Sequence, residues 1–462
     1  MRYLPLSPLE KEKILTLCGV KTFDQLTEKI PQDLKLKGLL DMKEGMSESE
    51  IIEHVSELAD RVKASKMVSF LGQGVYSHDW PKVIDQISNR GEFLTAYTPY
   101  QPEISQGTLQ MIFEYQSMIA DLLGCEVSNA SLYDGATSVV EGILMAARLQ
   151  NLKSGKVYIA EGIFDRYRAV IESYLAPLGF ELVTWRASGK TFTQSDTLSI
   201  EDAGKSPAVA VVMQSPNKWG HIEDWNSAVE FAKKLGTKSV AISGHTHANV
   251  LFQAPGHAGM DIVTGEAQCL GIPVGFGGPH LGMIACKKQD VRQMPGRLVG
   301  LSEDSKGQTA FCITLATREQ HIRRDKATSN ICSNQNLMAL RACMYLQLMG
   351  PNGMKEVSEQ SRNLACYARG LLQKIVEPYG ASMAISSGEI FNEFSLFFTP
   401  QKTLVAEEFL ANAEKLGIIA GTRIIPPANT NFSVGLALAF TEKIKLEHIN
   451  KLLSAFPLKV TH

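Results

Sequence analysis

Long apolar runs are missing from this chain of 462 residues. No stretch approaches the roughly 18 apolar residues that a membrane helix requires, so no membrane span is expected. A signal peptide is missing as well. Met1-Arg2-Tyr3-Leu4-Pro5 soon meets the charged run Glu10-Lys11-Glu12-Lys13, which interrupts any secretory apolar segment, and a cytoplasmic location is expected. There is no excess of one charge: 46 Lys and Arg stand against 48 Asp and Glu, a formal net charge of −2. With Arg323-Arg324 too short to make a basic patch, nucleic acid is not an expected partner. The eight cysteines show no C-x-x-C spacing, which argues against a zinc ribbon and a thioredoxin-like motif. They read as reduced, mostly buried thiols of a cytosolic enzyme. Internal repeats and low-complexity segments are also lacking.

What remains is an ordinary globular composition, long enough for about two to four domains at roughly 100–200 residues each. Residues 1–65 read as a charged helical extension. Ile51, Ile52, Val55, Leu58, Ala59 and Val62 recur at helical spacing, and Ser47 with Glu50 is a capping box for that helix. Residues 66–335 alternate strand and helix patterns. Val157–Ala160, Glu181–Trp185, Ala208–Met213 and Ser239–Ile242 are β-rich, while Asp165–Leu178 and Trp225–Leu235 are helical. That alternation predicts an α/β fold with a mostly parallel sheet covered on both faces. Residues 336–462 read as a small α+β C-terminal domain. It has helices over Asn336–Leu348, Glu356–Ile375 and Lys445–Ser454, and strand-like pieces Phe394–Phe398 and Phe432–Leu436.

The distinctive segment is Tyr97-Thr98-Pro99-Tyr100-Gln101-Pro102-Glu103-Ile104-Ser105-Gln106-Gly107. By composition it is a polar, proline-marked loop before a helix that Ser105 would cap. It resembles the Tyr-Thr-Pro-Tyr-Gln-x-Glu-x-Ser-Gln-Gly signature of glycine decarboxylase P-proteins of the glycine cleavage system. Other blocks are similar to the same family. They are Phe70-Leu71-Gly72-x-Gly74-x-Tyr76, Asn129-Ala130-Ser131-Leu132-Tyr133-Asp134, Gly271-Ile272-Pro273 with Phe276–Gly282, and Thr317–Arg324 with Lys326–Cys332. The resemblance covers essentially the whole chain and points to the first of the two homologous halves, the α-type subunit of split P-proteins. It implies a fold-type-I pyridoxal-phosphate transferase scaffold.

Such a scaffold needs a lysine to hold pyridoxal phosphate covalently and usually a carboxylate for its ring nitrogen. The carboxylate is expected near the end of Ser239–Ile242, yet no Asp or Glu occurs from Val240 to Met260. The catalytic half of these proteins resembles His-Lys-Thr-Phe in the lysine loop. Counting back from Ile272-Pro273 puts Gln268 at the lysine position and Ala267 at the preceding histidine. Gln cannot bond to the cofactor aldehyde. Lys326 is the alternative lysine, in a loop that is the wrong place for this fold. Gly135-Ala136-Thr137 opens a helix at the usual phosphate position and reads as a relic. His245-x-His247 with His257 is a weak metal candidate without a nearby carboxylate in sequence, and no metal is expected. Gly72-x-Gly74 lacks the third glycine of a dinucleotide fingerprint, and Gly275-x-Gly277-Gly278 reads as a backbone turn.

The resemblance therefore implies a subunit with no catalytic residues of its own. The β-type subunit would hold the pyridoxal phosphate, in an α2β2 assembly that decarboxylates glycine and passes the aminomethyl group to the lipoyl group of the H-protein. Tyr97, Tyr100, Gln101 and Glu103 are the residues expected to reach the partner's active site. The competing readings are an autonomous pyridoxal-phosphate decarboxylase or transaminase using an unrecognised lysine, and a repurposed scaffold without a β-type partner.

Overall fold

The computed structural model describes residues 6–38, 40–187, 206–275 and 277–457. Phe276, quoted above in a family block, lies outside them. Two compact units are present, residues 1–65 and 66–462. In the first, α1 (Pro8–Leu17) and α2 (Glu48–Asp60) each begin with a complete capping box. The box read at Ser47 forms: the Glu50 carboxylate accepts from Ser47 N–H at 2.7 Å, and Ser47 Oγ accepts from Glu50 N–H. No described residue of either helix is buried.

The second unit is built on a seven-stranded sheet. Its strands are β1 (Val127–Ser128), β2 (Gly155–Ala160), β3 (Phe180–Trp185), β4 (Ala208–Ser215), β5 (Lys238–Ser243), β6 (Ile262–Glu266) and β7 (Gly282–Cys286), in the spatial order β1-β7-β6-β5-β4-β2-β3. Strands β2 to β6 pair in parallel, and only β7 with its neighbours β6 and β1 is antiparallel. Helices α3 (Gln106–Leu123), α4 (Gly135–Leu149), α5 (Asp165–Leu175) and α6 (Trp225–Leu235) belong to this layered unit. The apolar run of β4 is buried throughout its centre, as is Ile242 in β5. Ile242→Ala would cost roughly 2–5 kcal/mol through the cavity it leaves. Helix α6 starts at Asp224, whose side chain accepts from Asn226 N–H, and stops at left-handed Gly236.

A hairpin of β8 (Leu298–Glu303) and β9 (Thr309–Thr314) follows; no sequence reading above anticipated it. The two helices expected after residue 335 form one run, α7 (Asn336–Val376), broken at Gly350 with φ 57°. Pro351 opens the second segment, earlier than Glu356, because proline suits a first helical turn. The four-stranded antiparallel sheet contains β10 (Met383–Ile385), β11 (Glu393–Phe398), β12 (Thr422–Ile424) and β13 (Val434–Ala439), in the order β10-β11-β13-β12. Strand β13 starts two residues later than Phe432. Helices α8 (Thr403–Lys415) and α9 (Leu446–Ser454) contribute Phe409 and Leu452 to a second core with Phe394, Phe398 and Phe440. No described helix is long and apolar enough to cross a membrane.

Candidate functional site

Parallel sheets place ligands at the carboxyl ends of their strands. Here β5 delivers His245-Thr246-His247, β6 ends on Glu266, and α4 opens at Gly135. Gln268, expected from the sequence at the lysine position, is buried with both ends of its amide engaged. Its Oε1 accepts from Tyr76 N–H at 3.0 Å and its Nε2 donates to Ile272 O at 2.7 Å. A lysine ammonium has no acceptor role to offer Tyr76 N–H, so this position is built for an amide.

Glu266 lies at the N-terminus of α4. Its Oε2 accepts from Gly135 N–H at 2.9 Å, and its Oε1 accepts from Gln268 N–H at 2.9 Å and Leu281 N–H at 2.8 Å. Beside it, Asp134 caps α4 by accepting from Thr137 N–H at 2.9 Å. Burial raises the Glu266 carboxyl above the ordinary range, opposed by His280 and the backbone donors. A Cβ at Gly135 would run into the Tyr167 hydroxyl. The helix N-terminus read from Gly135-Ala136-Thr137 is therefore already engaged by the Glu266 carboxylate. With an amide at Gln268, the Gly135 N–H already bonded to Glu266 and no carboxylate following β5, these residues do not fit pyridoxal phosphate.

The histidines group differently from the sequence reading. His257 packs near Gly124, and His78 takes its place in a buried group with His245 and His247. A carboxylate, Glu442, does reach this group, across 364 positions of sequence: its Oε2 lies 2.7 Å from His78 Nδ1. His78 Nε2 lies 3.1 Å from His245 Nε2, and His247 N–H donates to His245 Nδ1 at 3.3 Å. These bonds assign the tautomers. His245 Nδ1 accepts, so its Nε2–H donates to His78 Nε2, and His78 Nδ1–H donates to Glu442. His78 and His245 are engaged in this chain of bonds, whereas His247 Nε2 lies 3.2 Å from Tyr345 Oη and its Nδ1 has no hydrogen-bond partner among the described residues; one ring nitrogen from each of the three histidines lies within 4.8 Å of the others. Burial pushes His245 and His247 well below the ordinary histidine range, which keeps both neutral.

The residues singled out at positions 97–103 lie on a separate, exposed segment. Tyr97 and Tyr100 are 79% and 49% exposed, and Gln101 and Glu103 are exposed. Ser105 does not cap α3: its side chain makes no cap bond. The anchor is Gln106, whose side chain bonds both ways with the Phe311 backbone at 2.9 Å. Tyr100 is held by Arg297, which the sequence reading missed. Its Nη2 donates to Tyr100 Oη at 3.1 Å and to Cys332 O at 2.8 Å, and its Nη1 to Ser333 Oγ at 3.0 Å. Arg297 Nε also lies 3.7 Å from Glu319 Oε2, and the His321 ring sits edge-on to Tyr100. The Tyr97–Gly107 block and the last family block thus meet around one guanidinium. Lys326 is exposed in the turn Arg324–Lys326 and lies in no cofactor-like setting.

Comparison with known proteins supports one assignment. The model of the glycine cleavage system P-protein family matches residues 1–456. "Probable glycine dehydrogenase (decarboxylating) subunit 1" of Moorella thermoacetica is 39% identical over 456 residues, covering 98% of this chain and 99% of that protein. The protein of the same name in Bacillus pumilus is 42% identical over 394 residues, covering 85% and 86%. A crystal structure of glycine decarboxylase (P-protein) of the glycine cleavage system in inhibitor-bound form superposes with a TM-score of 0.84 at 37% identity, covering 98% of this chain and 99% of that one. Sphingosine-1-phosphate lyase of Burkholderia pseudomallei, 14% identical with a TM-score of 0.64 and covering 92% and 94%, shares the fold. From its strand order, its family blocks and these full-length matches, the chain belongs to the glycine cleavage system P-protein family.

Proposed function

We propose that this chain is the α-type subunit, subunit 1, of a split glycine dehydrogenase (decarboxylating). It acts beside a β-type subunit that holds the pyridoxal phosphate, in an α2β2 assembly in the cytoplasm. The names of full-length relatives support the activity. What supports the division of labour is that Gln268 and Glu266, where the family resemblance expects the lysine and the phosphate, are engaged in internal hydrogen bonds.

Pyridoxal phosphate on the partner supplies the electron sink for loss of the glycine carboxylate. The H-protein lipoyl group then takes the aminomethyl group. This chain contributes a wall to that site. Tyr97 and Tyr100 offer aromatic faces and hydroxyls, Gln101 an amide that donates and accepts, and Glu103 a carboxylate that accepts from an amine. Arg297 is a positioning residue, because it fixes Tyr100 Oη without being exposed itself. The test is glycine–bicarbonate carbon exchange with lipoylated H-protein present, using this chain, the β-type subunit, and both. Exchange only in the mixture is expected. Exchange by this chain alone would overturn the proposal.

A further inference from the structure

We infer that Glu266 is a built-in occupant of the cofactor's phosphate cup, an internal carboxylate that takes the backbone donors an external phosphate would need. The inference deepens the reading that the partner holds the cofactor, and rests on it.

The cup is more than a helix end. Its three N–H donors come from three separate segments: Gly135 at the start of α4, Gln268 in the lysine loop, and Leu281 just before β7. Converging backbone N–H groups of this kind form an anion nest. Both carboxylate oxygens are used, and the bond lengths of 2.8–2.9 Å are those of charge-assisted hydrogen bonds. A histidine also faces the same group. His280 Nδ1 lies 3.8 Å from Glu266 Oε2 and is buried without a hydrogen-bond partner among the described residues. Around the carboxylate there is no spare room. A Cβ at Gly282 would strike Asp134 O and Ser138 Oγ, and one at Gly135 would come within 2.9 Å of Glu266 Cβ. An oxyanion and the Glu266 side chain cannot share this space.

The route to the cup remains. A cavity of about 550 Å³ lies alongside, lined by Gln73, Phe164, Arg166, Val274, His280 and Arg423 among others. His280 belongs to both the cavity wall and the surroundings of Glu266. Shortening Glu266 would therefore open the three N–H groups to an anion entering past His280, with Arg166 and Arg423 on the way.

The experiment uses the full chain and inorganic phosphate as the probe, read by calorimetry and by the thermal midpoint at constant ionic strength. Glu266→Ala is expected to bind phosphate saturably, with a midpoint that climbs with the logarithm of phosphate concentration above Kd. The unaltered chain and Glu266→Gln, in which the space stays filled, are expected to show neither. A Glu266→Ala chain that folds only in phosphate gives the same answer. Absence of binding by a folded Glu266→Ala, or equal binding by the unaltered chain, would overturn the inference. Glu266→Gln is the second arm: it keeps the volume but loses an acceptor for Gly135 N–H. Hydrogen exchange is expected to rise in peptides containing Gly135, and unchanged exchange there would overturn the inference even if the alanine chain does not fold. Binding of pyridoxal phosphate by the unaltered chain is a different failure. It would sink the partner-held reading, whereas a silent Glu266→Ala would sink only the role given to Glu266.

Discussion

The pocket at the ends of β5 and β6 and the segment Tyr97–Gln106 treat their polar groups in opposite ways. In the pocket, Gln268 and Glu266 find every partner inside the chain. On the segment, Tyr97 and Ile104 are 79% and 80% exposed, and Thr98 Oγ1 is buried with no hydrogen-bond partner among the described residues. The chain just before and within the family block packed beside it carries backbone strain. Leu315 has φ 55°, and Arg324 has φ 54° with ψ −120°, conformations that cost of order 1–3 kcal/mol each in a non-glycine residue. Internally satisfied groups have nothing left to offer a ligand. Exposed aromatics beside a strained segment are what a surface completed by a partner looks like.

The largest effect expected on this contrast comes from Gln268→Lys. An ammonium would be buried facing Tyr76 N–H, a donor against a donor, and roughly 3 kcal/mol or more of stability should be lost in a denaturant titration. No pyridoxal phosphate should bind, because Glu266 still fills the cup. A stable variant that takes up the cofactor would break the comparison.

Acid sharpens it next. His221, His245 and His247 have folded values pushed below the ordinary 6.5 by burial, His221 to about 4. Above the unfolded value both states are neutral and stability is complete. As pH falls through 6.5 the unfolded chain gains protons first, so stability drops until the folded values are reached. His221 alone would account for a loss of about 3 kcal/mol by pH 4. Denaturation midpoints between pH 7 and pH 4 check this, and a flat profile would contradict it.

On the exposed side, Arg297→Ala should weaken binding of the β-type subunit by about 2 kcal/mol, roughly 30-fold, because Tyr100 and the Cys332–Asn334 segment lose their common donor. Titration with labelled partner measures it. The smallest stability effects belong to the tyrosines. Tyr100→Phe removes one hydrogen bond, about 0.5–1.5 kcal/mol or less, and Tyr97→Phe should leave the free chain unchanged. Both should lower turnover of the complex. Unchanged turnover would leave these residues with packing alone.

Much of the scaffold was legible because local signals coincide. For α6, Asp224, an apolar stripe and Gly236 all mark the same eleven residues. For β4, an unbroken β-branched and small apolar run reads as a strand covered on both faces. Other features depend on tertiary proximity. Glu266 was passed over because the search was for a carboxylate after β5, and its role depends on Gly135 and Leu281 meeting it in space. His78 and Glu442 are far from His245 in sequence, so His257 was the nearer guess. Ser105 has a cap residue's identity, but its backbone, φ −121° and ψ 18°, holds the hydroxyl away from the helix amides. The β8–β9 hairpin turns on Asp304–Gly307, where Asp304 accepts from Lys306 and Gln308 N–H. Its strands lack the clean alternation that would announce them.

The most direct test of the central claim is to reduce the active complex with borohydride, which fixes pyridoxal phosphate to whichever lysine holds it, and to map the labelled peptide by mass spectrometry. The account predicts label on the β-type subunit and none on this chain. Label on Lys326, or on any other lysine of this chain, would contradict it.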